Sequence, residues 1–308
     1  MKYLITGGAG FVGSNIATYL AERNETITII DNLSTGNLDN IKDIKKKIKF
    51  IQGDINNLKL MQKVTKNQDF IIHQAALPSV QRSVIDPISS NYNNINGTLN
   101  ILNAAKKNNV KRVIIASSSS IYGDINCKEK YENLPYNPLS PYAVTKITAE
   151  MYAKIYYNIY GLETVCLRYF NVFGPKQNPN SQYSAVIPRF IRAIINNQSP
   201  IIYGDGRTTR DFTYVTNNVV ANIKACTAKK APGEIINIAT NSAISLNKLV
   251  FLINKKLNKN IEPIYKDFRM GDIKHSLANI NKAIDILRYK VIVDFEDGIE
   301  RTIDWYRS

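Results

Sequence analysis

The feature that most constrains this 308-residue chain is its opening, Leu4-Ile5-Thr6-Gly7-Gly8-Ala9-Gly10-Phe11-Val12-Gly13. A short apolar strand runs straight into G-x-x-G-x-x-G, and helical spacing follows from Phe11 to Arg23, with Val12, Ile16 and Leu20 near one face. Glycines at Gly7, Gly10 and Gly13 permit a tight turn, close backbone approach to a pyrophosphate and helix–strand packing. The helix N-terminus then offers free N–H donors to phosphate oxygens. Alone, the same glycines would mark only a tight strand–helix turn, so the surrounding pattern has to carry the reading.

That pattern is an alternation. Strand-like runs at Thr26–Ile30, Ile48–Gln52, Phe70–Gln74, Arg112–Ala116 and Leu162–Leu167 are separated by helical stretches at Leu58–Thr65, Asn96–Asn108 and Pro141–Tyr160. Such alternation requires parallel pairing with crossovers, so the chain is expected to be α/β, a Rossmann-like doubly wound parallel sheet. Beyond about Asn171, Pro and Gly become frequent and the elements shorter and mixed. This predicts a dinucleotide-binding domain over 1–171 and a smaller mixed α/β substrate domain over 172–308, with some C-terminal segments returning to the first and no flexible linker between them.

The second strand-like run leads to Asp31, eighteen residues after Gly13. A carboxylate there accepts from an adenosine 2′-hydroxyl and repels a 2′-phosphate; with Asn32-Leu33-Ser34 following and no Arg or Lys, NAD is favoured over NADP. Asp54-Ile55, after the third run, is placed to meet the adenine. Tyr142 and Lys146 are four apart on a predicted helix and share a face. A nearby ammonium and a positive nicotinamide ring favour phenolate, lower the tyrosine pKa and make a general base. Arg112–Ala116 ends in Ser117-Ser118-Ser119-Ser120-Ile121-Tyr122-Gly123, which sets serines where open α/β sheets bind ligands.

Other chemistries are disfavoured. His73 and His275 are the only histidines, and Cys127, Cys166 and Cys226 form no CxxC pair, so neither a metal site nor a Ser-His-Asp triad is expected. The net charge of +15 reads as a solvated basic surface: the run from Lys42 to Lys49 carries no aromatic stacking platform, and no nucleic-acid partner is expected. No apolar run is long enough to span a bilayer and no signal pattern opens the chain, so no membrane partner and a cytoplasmic location are expected.

TGGAGFVG, SSSSIYG and YAVTK together resemble the extended short-chain dehydrogenase/reductases, and RYFNVFGPKQNP, YGDGRTTRDFTYV and FRMGDIKHSLANI extend the likeness over nearly the whole chain. Within that family the chain is most similar to nucleotide-sugar 4-epimerases, particularly those acting on UDP-N-acetylglucosamine. The resemblance implies Ser118, Tyr142 and Lys146 as the catalytic set. Ser119-Ser120 stands where dehydratases carry Asp-Glu, which argues against dehydration. It further implies cofactor contacts from Gly7, Gly10, Phe11, Val12, Gly13, Asp31, Asn32, Asp54, Ile55, Asn94, Tyr142 and Lys146. On the UDP-sugar side it implies Asn171 and Gln177, Val186 beside uridine, Arg210 and Arg269 on the diphosphate, and Asp272 on the ribose. Ser276 occupies the position that gates the sugar pocket; a small residue there implies room for an acetamido group, with Ser79, Ser118, Ser119 and Tyr142 around the sugar. Pro78 departs from the glycine expected in closest relatives. The implied activity is interconversion of UDP-GlcNAc and UDP-GalNAc through a 4-keto sugar with retained NAD, extending to UDP-glucose and UDP-galactose, in a homodimer. The alternatives are a UDP-glucose or UDP-glucuronate 4-epimerase, then a net oxidoreductase or dehydratase, then a non-catalytic NAD-binding protein.

Overall fold

The computed structural model describes residues 1–178, 185–268 and 274–307. Six runs rich in Ile and Val become parallel strands: β1 (Lys2–Thr6), β2 (Thr26–Asp31), β3 (Ile48–Gln52), β4 (Phe70–His73), β5 (Arg112–Ser118) and β6 (Glu163–Tyr169). A seventh, Ile235–Ile238, joins the same sheet beside β6. The order is Ile235–Ile238, β6, β5, β4, β1, β2, β3, so β1 pairs with β2 on one side and β4 on the other. The chain reverses direction across the sheet at β1, and a crevice opens at the carboxyl ends of β1 and β4.

Alternation along each strand fills two cores. Tyr3, Ile5, Ile27, Ile29, Ile72 and Ile114 face one way, covered by Ile16, Ala17 and Leu20 of the helix Phe11–Glu22. Leu4, Ile30, Ile71, Val113 and Ile115 face the other, covered by Met61, Ile101, Leu102, Ala149 and Ala153. Each fully buried large aliphatic side chain contributes roughly 1.5–3 kcal/mol. The long helix Pro141–Tyr160 starts on the Ser140 side chain, which accepts from Ala143 N, with Pro141 in the first turn, and it ends at left-handed Gly161.

Later residues form short strands: Thr209–Asp211 lies between antiparallel Ala243–Ser245 and parallel His275–Ser276. Rings of Phe173, Phe212, Tyr214 and Phe295 pack edge-on and stacked, fastening this part to the C-terminal helix Phe295–Arg307. Buried Asn217 ties it to the helix Val215–Thr227: its Oδ1 accepts from Ile292 N (2.9 Å) and Val293 N (3.2 Å), and its Nδ2 donates to Val293 O (2.7 Å).

The strands expected from sequence are present with small shifts of boundary. β5 runs to Ser118, two residues beyond the expected end, because parallel pairing with β6 continues to Ser118 and Tyr169. Among the described residues no helix is long and apolar enough to cross a membrane. Replacing Asn217 with Ala strands buried backbone groups at residues 292 and 293 and is expected to cost about 2–4 kcal/mol, measured by denaturant unfolding.

Candidate active site

The glycine loop has no room for side chains. Gly7 has φ +66°, and a Cβ there would lie 2.7 Å from Ala75 N; one on Gly13 would lie 2.3 Å from Gly7 O. No side chain caps the helix Phe11–Glu22, so its first-turn N–H groups face the crevice, between half-buried Phe11 and Val12. Buried Asp31 braces the loop: its carboxylate accepts from Ala9 N (3.0 Å) and Leu33 N (2.8 Å). Gly36 lies directly against that carboxylate, a contact with no motif to announce it. Asn32 Nδ2 donates to Asp54 (3.0 Å), whose other oxygen accepts from Asn56 N (2.7 Å), while Ile55 packs on Gly97. An uncapped helix end, a side-chain-free turn and an acid at the end of β2 together fit a dinucleotide.

At the carboxyl end of β5, the Ser118 hydroxyl lies near enough to the Tyr142 phenol to act on its pKa, and it accepts from Ser120 N (3.1 Å). Lys146 Nζ lies 5.7 Å from the Tyr142 ring centre and donates to Ala116 O (2.8 Å). Asn94, in a π-turn at Tyr92–Asn96, is buried and uses its amide as a brace. It accepts from Leu77 N (2.7 Å) and donates to Leu77 O and Thr145 Oγ1. Ser83 Oγ accepts from Tyr142 N (3.0 Å).

The electrostatics correct one expectation. Burial pushes the Tyr142 phenol up to about 12, against the lowering effect of its Ser118 hydrogen bond. Burial likewise holds Lys146 down at about 8, opposed by Cys166 and Glu150. The lysine and a positive nicotinamide ring together were expected to pull the phenol down; of the protein's own groups, the Lys146 ammonium is directed at a backbone carbonyl, and desolvation dominates at Tyr142. His73 is buried between Thr6 Oγ1 (2.7 Å) and Thr98 Oγ1 (3.0 Å), and burial lowers it to about 3, which makes it a neutral core residue.

A cavity of about 420 Å³, which Ser118, Tyr142 and Lys146 do not line, gathers Asn171, Val186 and Arg210 with Tyr203, Phe268 and Lys274. The last three were not anticipated: each sits in a loop-rich stretch where only the fold brings it to the cavity. Arg210 Nη1 donates to Thr209 O (2.9 Å), and Asn171 Nδ2 donates to Asp211 O (3.1 Å). Ser276, 8% exposed, is the strand neighbour of Arg210. Ser79 caps the helix Val80–Ile85 with φ 110°, and Val80 lines the cavity. Ser119 opens the turn Ser119–Tyr122, and Gln177 Nε2 donates to Val172 O (3.3 Å) while its Oε1 is buried without a protein partner. Ser79, Ser119, Gln177 and Ser276 are not part of the cavity wall itself. Arg269 and Asp272 lie outside the described residues. Among the described residues no group of His, Cys, Asp or Glu is arranged to hold a metal.

A glycine-turn dinucleotide fold with Ser, Tyr and Lys converging at the carboxyl edge of one sheet defines a dehydrogenase/reductase-type enzyme. The profile of the NAD dependent epimerase/dehydratase family matches residues 3–239. A putative UDP-glucose 4-epimerase of Methanocaldococcus jannaschii is 40% identical over 99% of this chain and 98% of its own. The solved UDP-N-acetylglucosamine 4-epimerase of Methanobrevibacter ruminantium M1, in complex with UDP-N-acetylmuramic acid, superposes with a TM-score of 0.95 at 41% identity, covering 99% of this chain and 98% of that one. UDP-glucuronic acid 4-epimerase of Bacillus cereus, with UDP-glucuronic acid and NAD, gives 0.91 at 32% identity, covering 100% and 99%. The chain belongs to the NAD-dependent epimerase/dehydratase family. It is an NAD-dependent epimerase.

Because the Ser118 hydrogen bond is what lowers the phenol pKa, Ser118→Ala moves it higher still. The acid limb of the kcat–pH profile is then expected to shift to higher pH, with kcat reduced about 10²-fold, while Tyr142→Phe removes most turnover and both variants keep NAD.

Proposed function

We propose that this NAD-dependent UDP-sugar 4-epimerase interconverts UDP-N-acetylglucosamine and UDP-N-acetylgalactosamine. The observation that carries the reading is Ser276: a small, buried side chain in register with Arg210, at the position that the resemblance assigns to the gate of the sugar pocket. The relative that binds UDP-N-acetylmuramic acid, an N-acetylated sugar nucleotide, supports it. A pocket sized for N-acetylhexosamine rejects a smaller hexose weakly, by about 1–3 kcal/mol per missing methylene-sized group, so UDP-glucose and UDP-galactose are second substrates. The name of the M. jannaschii relative favours these, and that of the B. cereus enzyme favours UDP-glucuronate as a third.

In this reading the Tyr142 phenolate takes the proton of the sugar 4-hydroxyl and Ser118 hydrogen-bonds the same oxygen. Bound NAD would supply a hydride acceptor and donor for C4, and its positive ring would favour the phenolate. Lys146 would hold the cofactor's nicotinamide ribose and Asp31 the adenosine 2′-hydroxyl. Arg210 holds the diphosphate while the 4-keto sugar turns its other face, with Arg269 assigned the same task and Asp272 the uridine ribose. Guanidinium suits this work because its charge-assisted bonds tolerate rotation beyond the phosphates. Tyr142 returns the proton, so the proton balance of the reaction is closed within the site.

The helices Val80–Ile85, Pro87–Asn91 and Pro141–Tyr160 pack together and leave Val84, Ile85, Ile88, Val144, Met151 and Ile155 exposed. Ile88 is 81% and Ile85 71% exposed. An apolar face of this kind on a folded chain is suited to self-association, and we assign it to a homodimer working in the cytoplasm on sugar nucleotides for polysaccharide synthesis.

Purified enzyme given UDP-GlcNAc without added NAD is expected to form UDP-GalNAc, seen by chromatography; UDP-glucose turnover with no UDP-GalNAc would sink the N-acetyl assignment. Ser276→Tyr is expected to lose the N-acetylated substrates and keep UDP-glucose and UDP-galactose. Light scattering is expected to give twice the 34.8 kDa chain mass, and Ile88→Glu with Ile85→Glu to give the single chain.

A further inference from the structure

The strongest unexplained feature near the reaction centre is a buried ion pair that touches neither the cavity nor the glycine loop. The Glu150 side chain is 0% exposed and that of Arg168 2%. Arg168 Nε donates to Glu150 Oε1 (2.9 Å) and Nη2 to Oε2 (2.8 Å). Ser117 Oγ donates to Oε1 (2.5 Å) and Tyr136 OH to Oε2 (3.0 Å). Four donors from β5, β6 and the loop before the long helix thus converge on one carboxylate.

We infer that Glu150 and Arg168 set the register of the helix Pro141–Tyr160 against β5, with Glu150 as a positioning residue for Ser118, Tyr142 and Lys146. The spacing is the first reason. Tyr142, Lys146 and Glu150 fall at successive steps of four on one helix face. They meet the last three residues of β5: Lys146 holds Ala116 O, Glu150 holds Ser117 Oγ, and Tyr142 stands beside Ser118. The backing is the second reason. Ser117 and Arg168 are direct partners in the β5–β6 register, so the carboxylate is held by neighbours on two adjacent strands. Arg168 is itself fixed, since Nη1 donates to Tyr122 OH (2.7 Å) and Glu132 O (3.1 Å), and Tyr122 OH donates to Asn237 Oδ1 (2.7 Å).

Energetics supply the third reason. Desolvating two ions costs several kcal/mol each, and an apolar replacement of such a pair is often neutral or stabilising. Stability alone therefore gives this pair little cause to exist, whereas its directional bonds fix position. A helix slipped by one residue moves about 1.5 Å along its axis, enough to part Tyr142 from Ser118.

The role rests on the proposed epimerase reaction, and its test uses whichever UDP-sugar the wild-type enzyme epimerises. A wrong sugar assignment then shows in the wild type, and a wrong positioning role only in the variants. Two variants are compared. Glu150→Gln with Arg168→Met removes both charges together; Ser117→Ala removes one hydrogen bond and keeps the pair. Both are expected to lower kcat by about 10- to 100-fold while KM and bound NAD stay within about twofold of wild type. Wild-type kcat in a double variant of wild-type Tm would show a purely structural pair and overturn the inference. So would KM and NAD content lost in step with kcat. Should the double variant not fold, Ser117→Ala decides: wild-type kcat there overturns it equally.

Discussion

The sharing of β1 between two neighbours is the constraint on which the rest depends. Its backbone groups pair with β2 on one side and β4 on the other, so the chain has to leave β1 in one direction and return in the other. The glycine turn after β1 lies at the point between. The same ladder carries β5 and β6 outward, so Ser118 and Tyr169 finish side by side at the edge where Gly7 turns. Burial of the strands on both faces makes this frame rigid. Two cores, one above and one below, leave the sheet little freedom to bend, and groups at its carboxyl edge inherit that precision.

Burial that gives precision also sets the acid–base problem. Tyr142 and Lys146 are both enclosed, and low polarity penalises phenolate and ammonium alike. Neither neighbour on the helix removes that penalty. Part of it is offset by other groups: Ser118 beside the phenol, and Cys166 and Glu150 near the ammonium. The phenol proposed as base is thus held protonated by its surroundings, and a further positive charge in the enclosure would favour its phenolate.

How much of this was legible in the sequence depends on the range of the interaction. β-branched runs of four to seven residues identify themselves, and the Gly7–Gly13 turn is local. Tyr142 and Lys146 were legible because a helix repeats at four. The strand Ile235–Ile238 was not, since its few apolar residues follow Pro232-Gly233 and only its pairing with β6 makes them a sheet edge. Asn94 was singled out through the resemblance as a cofactor contact, yet its amide is committed to Leu77 and Thr145, partners seventeen and fifty-one residues away. Glu150 shares the four-residue step of Tyr142 and Lys146, but nothing local shows that it is buried: a glutamate on a helix normally faces water, and only the β5–β6 register brings Arg168 behind it. Gly36 is similar, for its reason is the carboxylate of Asp31.

That last contact bears on how such a chain can change over generations. In the proposed reading Asp31 has two jobs for one carboxylate: it ties Ala9 and Leu33 into the turn, and it is the charge assigned to the adenosine ribose. A relative drifting toward a phosphorylated dinucleotide needs that charge gone, but a substitution at Asp31 also unties the turn, and Gly36 has no side chain with which to take over. Cofactor preference is therefore fastened to loop architecture. A switch has to pass through simultaneous changes at both places, which makes the preference for the unphosphorylated dinucleotide hard to lose by single steps.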